Sequence, residues 1–294
     1  MIKLIASDMD GTLLNDNHEI DKDTAEAIKK AEESGIIFVI STGREYENVK
    51  YILDKRDIKC QCILSNGAEY RDENGNILDV ININENSAKE IIQIFKDNNI
   101  SYRMFTDKGI FTTSTREKAL EELTFRTLTF NKNLTKEEAK KIAEKENFFT
   151  CLKYVEDVEK FFKDGIEIRK FVAFHEDIEL LNKLKGTIGK IGGLSISSSF
   201  NDNIEITDIN AQKGIILEKV ITKMGIDKKD VVILGDSFND YSMFEIFEES
   251  VAMKNAIPEV KKIAKYITDT NDNQGVAKAI YNILNNEMYK MKKA

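Results

Sequence analysis

Along the first eighty residues, short apolar runs alternate with stretches in which apolar positions recur every three or four residues. Residues 2–7 read as a strand. A polar loop follows, then a helix whose start at Asp23, with Glu26 three positions on, has capping-box spacing and whose end is marked by Gly35. Ile36 to Ile40 predicts a second strand, residues 45–53 a second helix and residues 62–65 a third strand. Two further strands flank Asn74-Gly75, a dipeptide suited to a type I′ hairpin turn. The chain therefore opens as βαβαβ and adds a hairpin.

The last third repeats this grammar. A helix over 213–224 leads to a strand at Val231 to Leu234, a helix from 239, a short strand at 250–253, a helix after Pro258, a strand near 266 and a helix from 274. Alternating strands and helices of these lengths predict an α/β fold, a Rossmann-like open parallel sheet with helices on both faces. The middle has a different texture, with helices expected at 87–98 and 135–146 among strands at 101–105, 168–174 and 194–199. This reads as an α+β domain over 84–205 inserted into a core made of residues 1–83 and 206–294.

With 294 residues, 41% hydrophobic and 32% charged, the chain suits a soluble globular protein of two domains. The net charge is −8, and the insert holds 20 basic and 21 acidic residues against 23 and 30 in the rest, so neither part offers a basic face for nucleic acid. Apolar runs such as Ile36 to Ile40 fall far short of a membrane span. MIKLIASDMD is broken by Lys3 and Asp8 and lacks the apolar stretch of a secretory signal, so the cytoplasm is the expected location. Cys60, Cys62 and Cys151 read as reduced core residues, since no further Cys or His completes a zinc site. His18 and His175 stand beside no nucleophile signal and read as surface or strand-end residues.

An open α/β sheet places its chemistry outside the C-terminal ends of its strands. Three predicted strands end in polar clusters: Asp8-Met9-Asp10-Gly11-Thr12, Ser41-Thr42-Gly43-Arg44 and Gly235-Asp236-Ser237-Phe238-Asn239-Asp240. Each alone has a plain reading as a turn, a loop or a helix start. Parallel strands would bring the three together, and Asp8, Asp10, Asp236 and Asp240 would then crowd four carboxylates, which calls for a counter-cation. Oxygen donors without neighbouring Cys or His favour a hard ion, and the set suits Mg²⁺ with a phosphate oxygen better than a closed calcium cage. Neither a G-x-x-x-x-G-K-[ST] nor a G-x-G-x-x-G pattern occurs.

At these residues the sequence resembles the haloacid dehalogenase superfamily: DMDGT, STGR, Lys213 opening a helix within NAQKG, and GDSFND follow the order of its four motifs. The insert resembles, in position and size, the C2 cap of the Cof-type branch (subfamily IIB). SNGA at Ser65 to Ala68, KNAIPEVK at Lys254 to Lys261 and the closing NQGVAKAI are further matches, so the resemblance covers essentially the whole core. It implies Asp8 as a nucleophile that forms an aspartyl phosphate. Asp10 would be the general acid and base, with its backbone carbonyl on the metal. Lys213 would neutralise charge on Asp8 and phosphate. Asp8, Asp10 and Asp236 would be the metal ligands, with Asp240 and Asn239 holding the ion directly or through its waters. Gly11 and Thr12 would form the turn that aims both carboxylates and, with Thr42, Gly43, Arg44, Asn66 and Asn239, make up the phosphate and substrate contacts. Arg44 and Asn66 also fit plain helix-start and turn roles. Ser41 stands where alanine is frequent in this branch.

The activity implied is Mg²⁺-dependent hydrolysis of a small phosphomonoester, a sugar phosphate or a phosphorylated cofactor. Phosphoryl transfer, as in phosphomutases of this architecture, is an alternative. A non-catalytic module that binds Mg²⁺ and phosphate is a third reading, and the intact pair of Asp8 and Asp10 argues against it. The expected partner is a small phosphorylated metabolite, with no nucleic acid and no membrane, and the chain a monomer or small homo-oligomer. The insert is expected to close over the phosphate site and to set selectivity among leaving groups.

Overall fold

A strand covered on both faces has no solvent side to alternate with, so it reads as an unbroken apolar run. Four such runs form the heart of the larger sheet in the computed structural model, which describes residues 1–131 and 133–293. In chain order the strands are β1 (Leu4–Ser7), β2 (Ile37–Ser41), β3 (Gln61–Leu64), β4 (Glu69–Arg71) and β5 (Ile77–Val80). There follow β6 (Arg103–Thr106), β7 (Gly109–Thr112), β8 (Lys153–Tyr154), β9 (Ile168–Phe174), β10 (Leu194–Ser197) and β11 (Asn203–Asp208). The last are β12 (Val231–Gly235), β13 (Ser250–Ala252), β14 (Tyr266–Ile267) and β15 (Lys292–Lys293). Two compact units result, one of Met1–Ile81 with Asn210–Ala294 and one of Asn82–Ile209.

In the first unit the strand order is β15-β14-β13-β12-β1-β2-β3-β4-β5. The run from β14 to β3 is the parallel sheet expected, and β4 and β5, the expected hairpin, and β15 pair antiparallel at its edges. From β1 the chain first builds outward through β2 and β3 and later returns to fill the other side with β12 and β13. The strand order therefore reverses beside β1, and the crevice at such a reversal is where open α/β sheets bind ligands. Register sets what meets there: Ser7 lies opposite Leu234 and Ile40, so the residues that follow β1, β12 and β2 emerge side by side. Buried Leu4, Ile5, Val39, Ile63, Val232 and Ile233 form the centre of this unit's core.

The structure departs from two local expectations. The first helix is Lys22–Glu33, so Asp21 and not Asp23 stands at the N-cap position, and its carboxylate accepts from the Asn15 amide at 2.9 Å without bonding to the helix N–H groups. The hairpin between β4 and β5 forms, but not through a type I′ turn. Gly75 has φ +84 whereas Asn74 is not among the left-handed residues, and Asp72 Oδ1 organises the loop by accepting from the N–H groups of Asn74 and Asn76.

The second unit has a six-stranded sheet ordered β10-β11-β9-β6-β7-β8, antiparallel except for β7 with β8. Strand alternation gives β9 two apolar faces. Phe171 and Ala173 join Phe95, Tyr102 and Leu181, with Phe95 and Tyr102 stacked at 4.9 Å, while Val172 and Phe174 join Phe105 and Phe125. β11 runs to Asp208, past the boundary expected at 205. Sequence reasoning passed over β7, β8, β11 and the helices Arg116–Phe130, Val158–Lys163 and Ile178–Ile188. Arg116–Phe130 hides because three threonines weaken its helical signal; in the structure Thr124, Thr127 and Thr129 donate their hydroxyls to carbonyls four residues back. Cys60 and Cys62 are buried as expected, but Cys151 is exposed.

Candidate active site at the strand ends

Asp8 directly follows β1 and its N–H bonds to the carbonyl of Leu234 at 3.0 Å, which ties the loop after β1 to β12. The loop then turns at Gly11, whose φ is +77 and where a Cβ would stand 2.6 Å from Asp236 Oδ2. Only glycine suits both demands. The next residue, Thr12, donates its hydroxyl to Asp236 Oδ1 at 2.7 Å. Lys213, fully buried at the start of the helix Lys213–Lys223, reaches Asp8 Oδ1 at 2.5 Å and Asp240 Oδ1 at 2.6 Å. That helix is brought close by Gly214, whose N–H donates to Ser242 Oγ at 3.0 Å and where a Cβ would meet the Ser242 carbonyl at 2.2 Å. Asp240 Oδ2 accepts from the N–H groups of Asp236 and Ser237 at 2.9 and 3.1 Å.

Carboxylate oxygens of Asp8, Asp236 and Asp240 lie within 4.8 Å of one another. Burial, then the Asp240 charge, pushes Asp8 well above the usual carboxylate range, with Lys213 pulling it down and Asp236 pushing further up. Asp236 is pushed up to about 7 by burial and by Asp240, against the opposing Thr12 hydroxyl bond. Burial alone would lower Lys213, yet Asp240 and Asp8 more than offset it and hold its pKa above the ordinary value. Three carboxylates facing one ammonium leave two negative charges in excess, and a divalent cation bound by oxygen would balance them. The donor set therefore fits Mg²⁺, a hard ion.

Asp10 stands apart from this trio. Its carboxylate accepts from Arg44 Nε at 2.8 Å and Nη2 at 2.6 Å, and His18 Nδ1 lies 3.9 Å from Oδ1. Burial would raise its pKa, but the Arg44 hydrogen bonds and charge prevail and hold it below the ordinary value. So the carboxylates that converge are those of Asp8, Asp236 and Asp240, and Arg44, expected on phosphate or substrate, here spends its guanidinium on Asp10. Thr42 is fully buried after β2, with its hydroxyl oxygen accepting the Arg44 N–H at 3.2 Å. Gly43 lies between these two. Ser41 Oγ, beside Thr42, is buried and has no hydrogen-bond partner among the described residues. Asn66 follows β3 in a left-handed conformation, φ +61, and its Oδ1 accepts from Asn239 Nδ2 at 3.3 Å, joining two residues that sequence reasoning placed together on function alone. Asn255 was missed, although its KNA segment was singled out: its Nδ2 donates to the Gly11 carbonyl at 2.7 Å.

The model of the haloacid dehalogenase-like hydrolase family matches residues 5–280. The chain belongs to this family. Among relatives it is 32% identical over 286 residues to the 5-amino-6-(5-phospho-D-ribitylamino)uracil phosphatase YwtE of Bacillus subtilis, covering 97% of this chain and 99% of that one. It is similar to the solved structure of a haloacid dehalogenase-like hydrolase from B. subtilis, with a TM-score of 0.84, 30% identity and coverage of 96% and 100%. The haloacid dehalogenase subclass IIB sugar phosphatase BT4131 shares the fold, at 22% identity, a TM-score of 0.74 and coverage of 96% and 98%. As a member of the superfamily with relatives named as phosphatases, the protein is an enzyme of the phosphatase class. Among the described residues, no helix is long and apolar enough to cross a membrane.

Proposed function

We propose that the protein hydrolyses small phosphomonoesters through an aspartyl phosphate on Asp8. The observation that carries this reading is the Asp8 carboxylate itself, buried, held at Oδ1 by Lys213 and crowded by Asp236 and Asp240. An Asp8 oxygen attacks phosphorus as the bond to the leaving oxygen breaks, and water then cleaves the acyl phosphate. Asp10 moves the protons. Ionised while Arg44 grips it, it can accept a proton from the attacking water as it stands, and once that pair loosens it can hold a proton, taken from water or solvent, and give it to the leaving oxygen. The Thr42 hydroxyl, whose oxygen already accepts the Arg44 N–H, keeps its own proton to donate to a phosphoryl oxygen. Lys213 stays charged and stabilises negative charge on Asp8 and the phosphoryl group. Mg²⁺, held by Asp8, Asp236 and the Asp10 carbonyl, would supply Lewis-acid neutralisation of phosphoryl charge.

The substrate class is a soluble phosphorylated metabolite of the cytoplasm, a sugar phosphate or a phosphorylated cofactor intermediate, in keeping with the phosphoribitylamino-uracil named for the relative YwtE. These motif residues act only on the phosphoryl group, so we assign choice among leaving groups to the Asn82–Ile209 unit. Asp8→Asn should abolish hydrolysis of a chromogenic phosphomonoester while the circular dichroism spectrum stays that of the parent, because the amide keeps the size and loses the nucleophile. Activity within a few-fold of the parent would overturn the reading.

A further inference from the structure

KNA at Lys254 to Ala256, singled out in the sequence, and the loop at Asn271 and Asp272 that leads into NQGVAKAI have no part in the chemistry above. In the structure both reach the loop that carries Asp8 and Asp10. Asn255 Nδ2 donates to the Gly11 carbonyl at 2.7 Å, and Asn255 Oδ1 accepts the Asn271 N–H at 3.1 Å. Because the oxygen end is taken by a backbone donor, the amide can point only its NH₂ at Gly11. Asn271 Nδ2 in turn donates to the Leu14 carbonyl at 3.0 Å and to Asp16 Oδ1 at 3.1 Å, and Asp272 Oδ1 accepts the Asp16 N–H at 2.8 Å. Gln274 Nε2 extends the contact to Asp23 Oδ2 at 2.7 Å.

The Asp10-Gly11-Thr12 turn is thus gripped from two sides. Thr12 is bonded to Asp236 from within the site, and Gly11 is bonded to Asn255 from outside it. The turn is also held by Arg44 on the Asp10 carboxylate and by the Leu14 N–H on the Met9 carbonyl at 2.9 Å, but Gly11 itself, in the left-handed region, has no side chain to pack. A shift of Gly11, which the Asn255 bond holds by its carbonyl, would carry the adjoining Asp10–Gly11 peptide and with it the Asp10 carbonyl and carboxylate, and a displacement of about 1 Å can cost on the order of a hundredfold in rate.

We infer that Asn255, backed by Asn271, is a positioning residue that clamps the Gly11 turn and so aims Asp10; its catalytic consequence rests on the phosphatase reading above. The bland alternative is a solvent-exposed bond with no effect on the site. Asn255→Asp discriminates well: the carboxylate still accepts from Asn271 but cannot donate to Gly11 and repels its carbonyl. With the full chain, Mg²⁺ and p-nitrophenyl phosphate, Asn255→Ala should lower kcat by about tenfold with KM within about twofold, and Asn255→Asp should lower it further. Hydrogen exchange, which needs no activity, should become faster in peptides spanning residues 8–17 of Asn255→Ala and Asn271→Ala and stay unchanged in β12 and β13. Unchanged exchange in 8–17, or faster exchange with parental kcat, overturns the clamp. A parent protein that hydrolyses no phosphomonoester at all instead sinks the phosphatase reading, and the exchange data then decide the clamp alone.

Discussion

Both units bury ionic side chains, and they do so differently. In the Asn82–Ile209 unit, Arg103 and Glu122 meet at 2.8 Å with each side chain 4% exposed, and the guanidinium also lies over the rings of Phe148 and Phe174. Nearby on the same sheet Lys170 faces Glu205 at 3.7 Å, and Glu205 Oε1 further accepts from Ser199 Oγ and Asn203 Nδ2. At Arg103 and Glu122 a cation is matched by a carboxylate, with the ion pair of Arg126 and Glu146 beside them. At the strand ends of the other unit, Asp8, Asp236 and Asp240 share the single ammonium of Lys213. A balanced buried pair is an architectural device of small net worth, whereas surplus buried charge of one sign is costly and is kept where a ligand of opposite charge completes it.

The largest effect expected from this contrast is at Lys213. Lys213→Met leaves Asp8 and Asp240 without their counter-charge, and hydrolysis of p-nitrophenyl phosphate should fall by about 10³-fold. The thermal midpoint should drop most in EDTA, where no cation replaces the ammonium. Near-parental turnover would mean that the surplus charge has no catalytic purpose.

Next in size is the balanced pair. Arg103→Met strands a buried Glu122 and should cost about 3–5 kcal/mol in urea unfolding, whereas adding Glu122→Leu should recover most of that loss, because the pair as a whole adds little over apolar packing. If the double variant were as unstable as the single one, the pair would be more than architecture.

The smallest effect concerns pH. Asp236 is pushed up to about 7, above the value near 3.9 for an unfolded aspartate, so the folded protein holds this proton more tightly than the unfolded chain does. Stability without metal should therefore decline as pH rises from about 4 to about 7, with the loss complete above that range. Saturating Mg²⁺ replaces the proton and should raise the thermal midpoint by about 2–4 °C more at about pH 8 than at about pH 5.5. Equal gains at both pH values would detach the ion from these carboxylates.

What the chain by itself determined is the alternation of strands and helices in the sheet unit and the three polar clusters at its strand ends, because periodicity, glycine stops and apolar runs are local signals that a few residues carry. The antiparallel edge strand β15, the threonine-rich helix Arg116–Phe130 and the strands β7, β8 and β11 of the Asn82–Ile209 sheet were not legible, since their patterns are weak over short windows and were decided by packing. Only the tertiary structure decided who partners whom. Lys213 bridges Asp8, 205 positions away, to Asp240; Arg44 takes Asp10; and Asn255 reaches Gly11 across 244 positions. These pairings depend on the register that sets Ser7 beside Leu234 and Ile40, and register between distant strands is a property of the assembled sheet that no single segment carries.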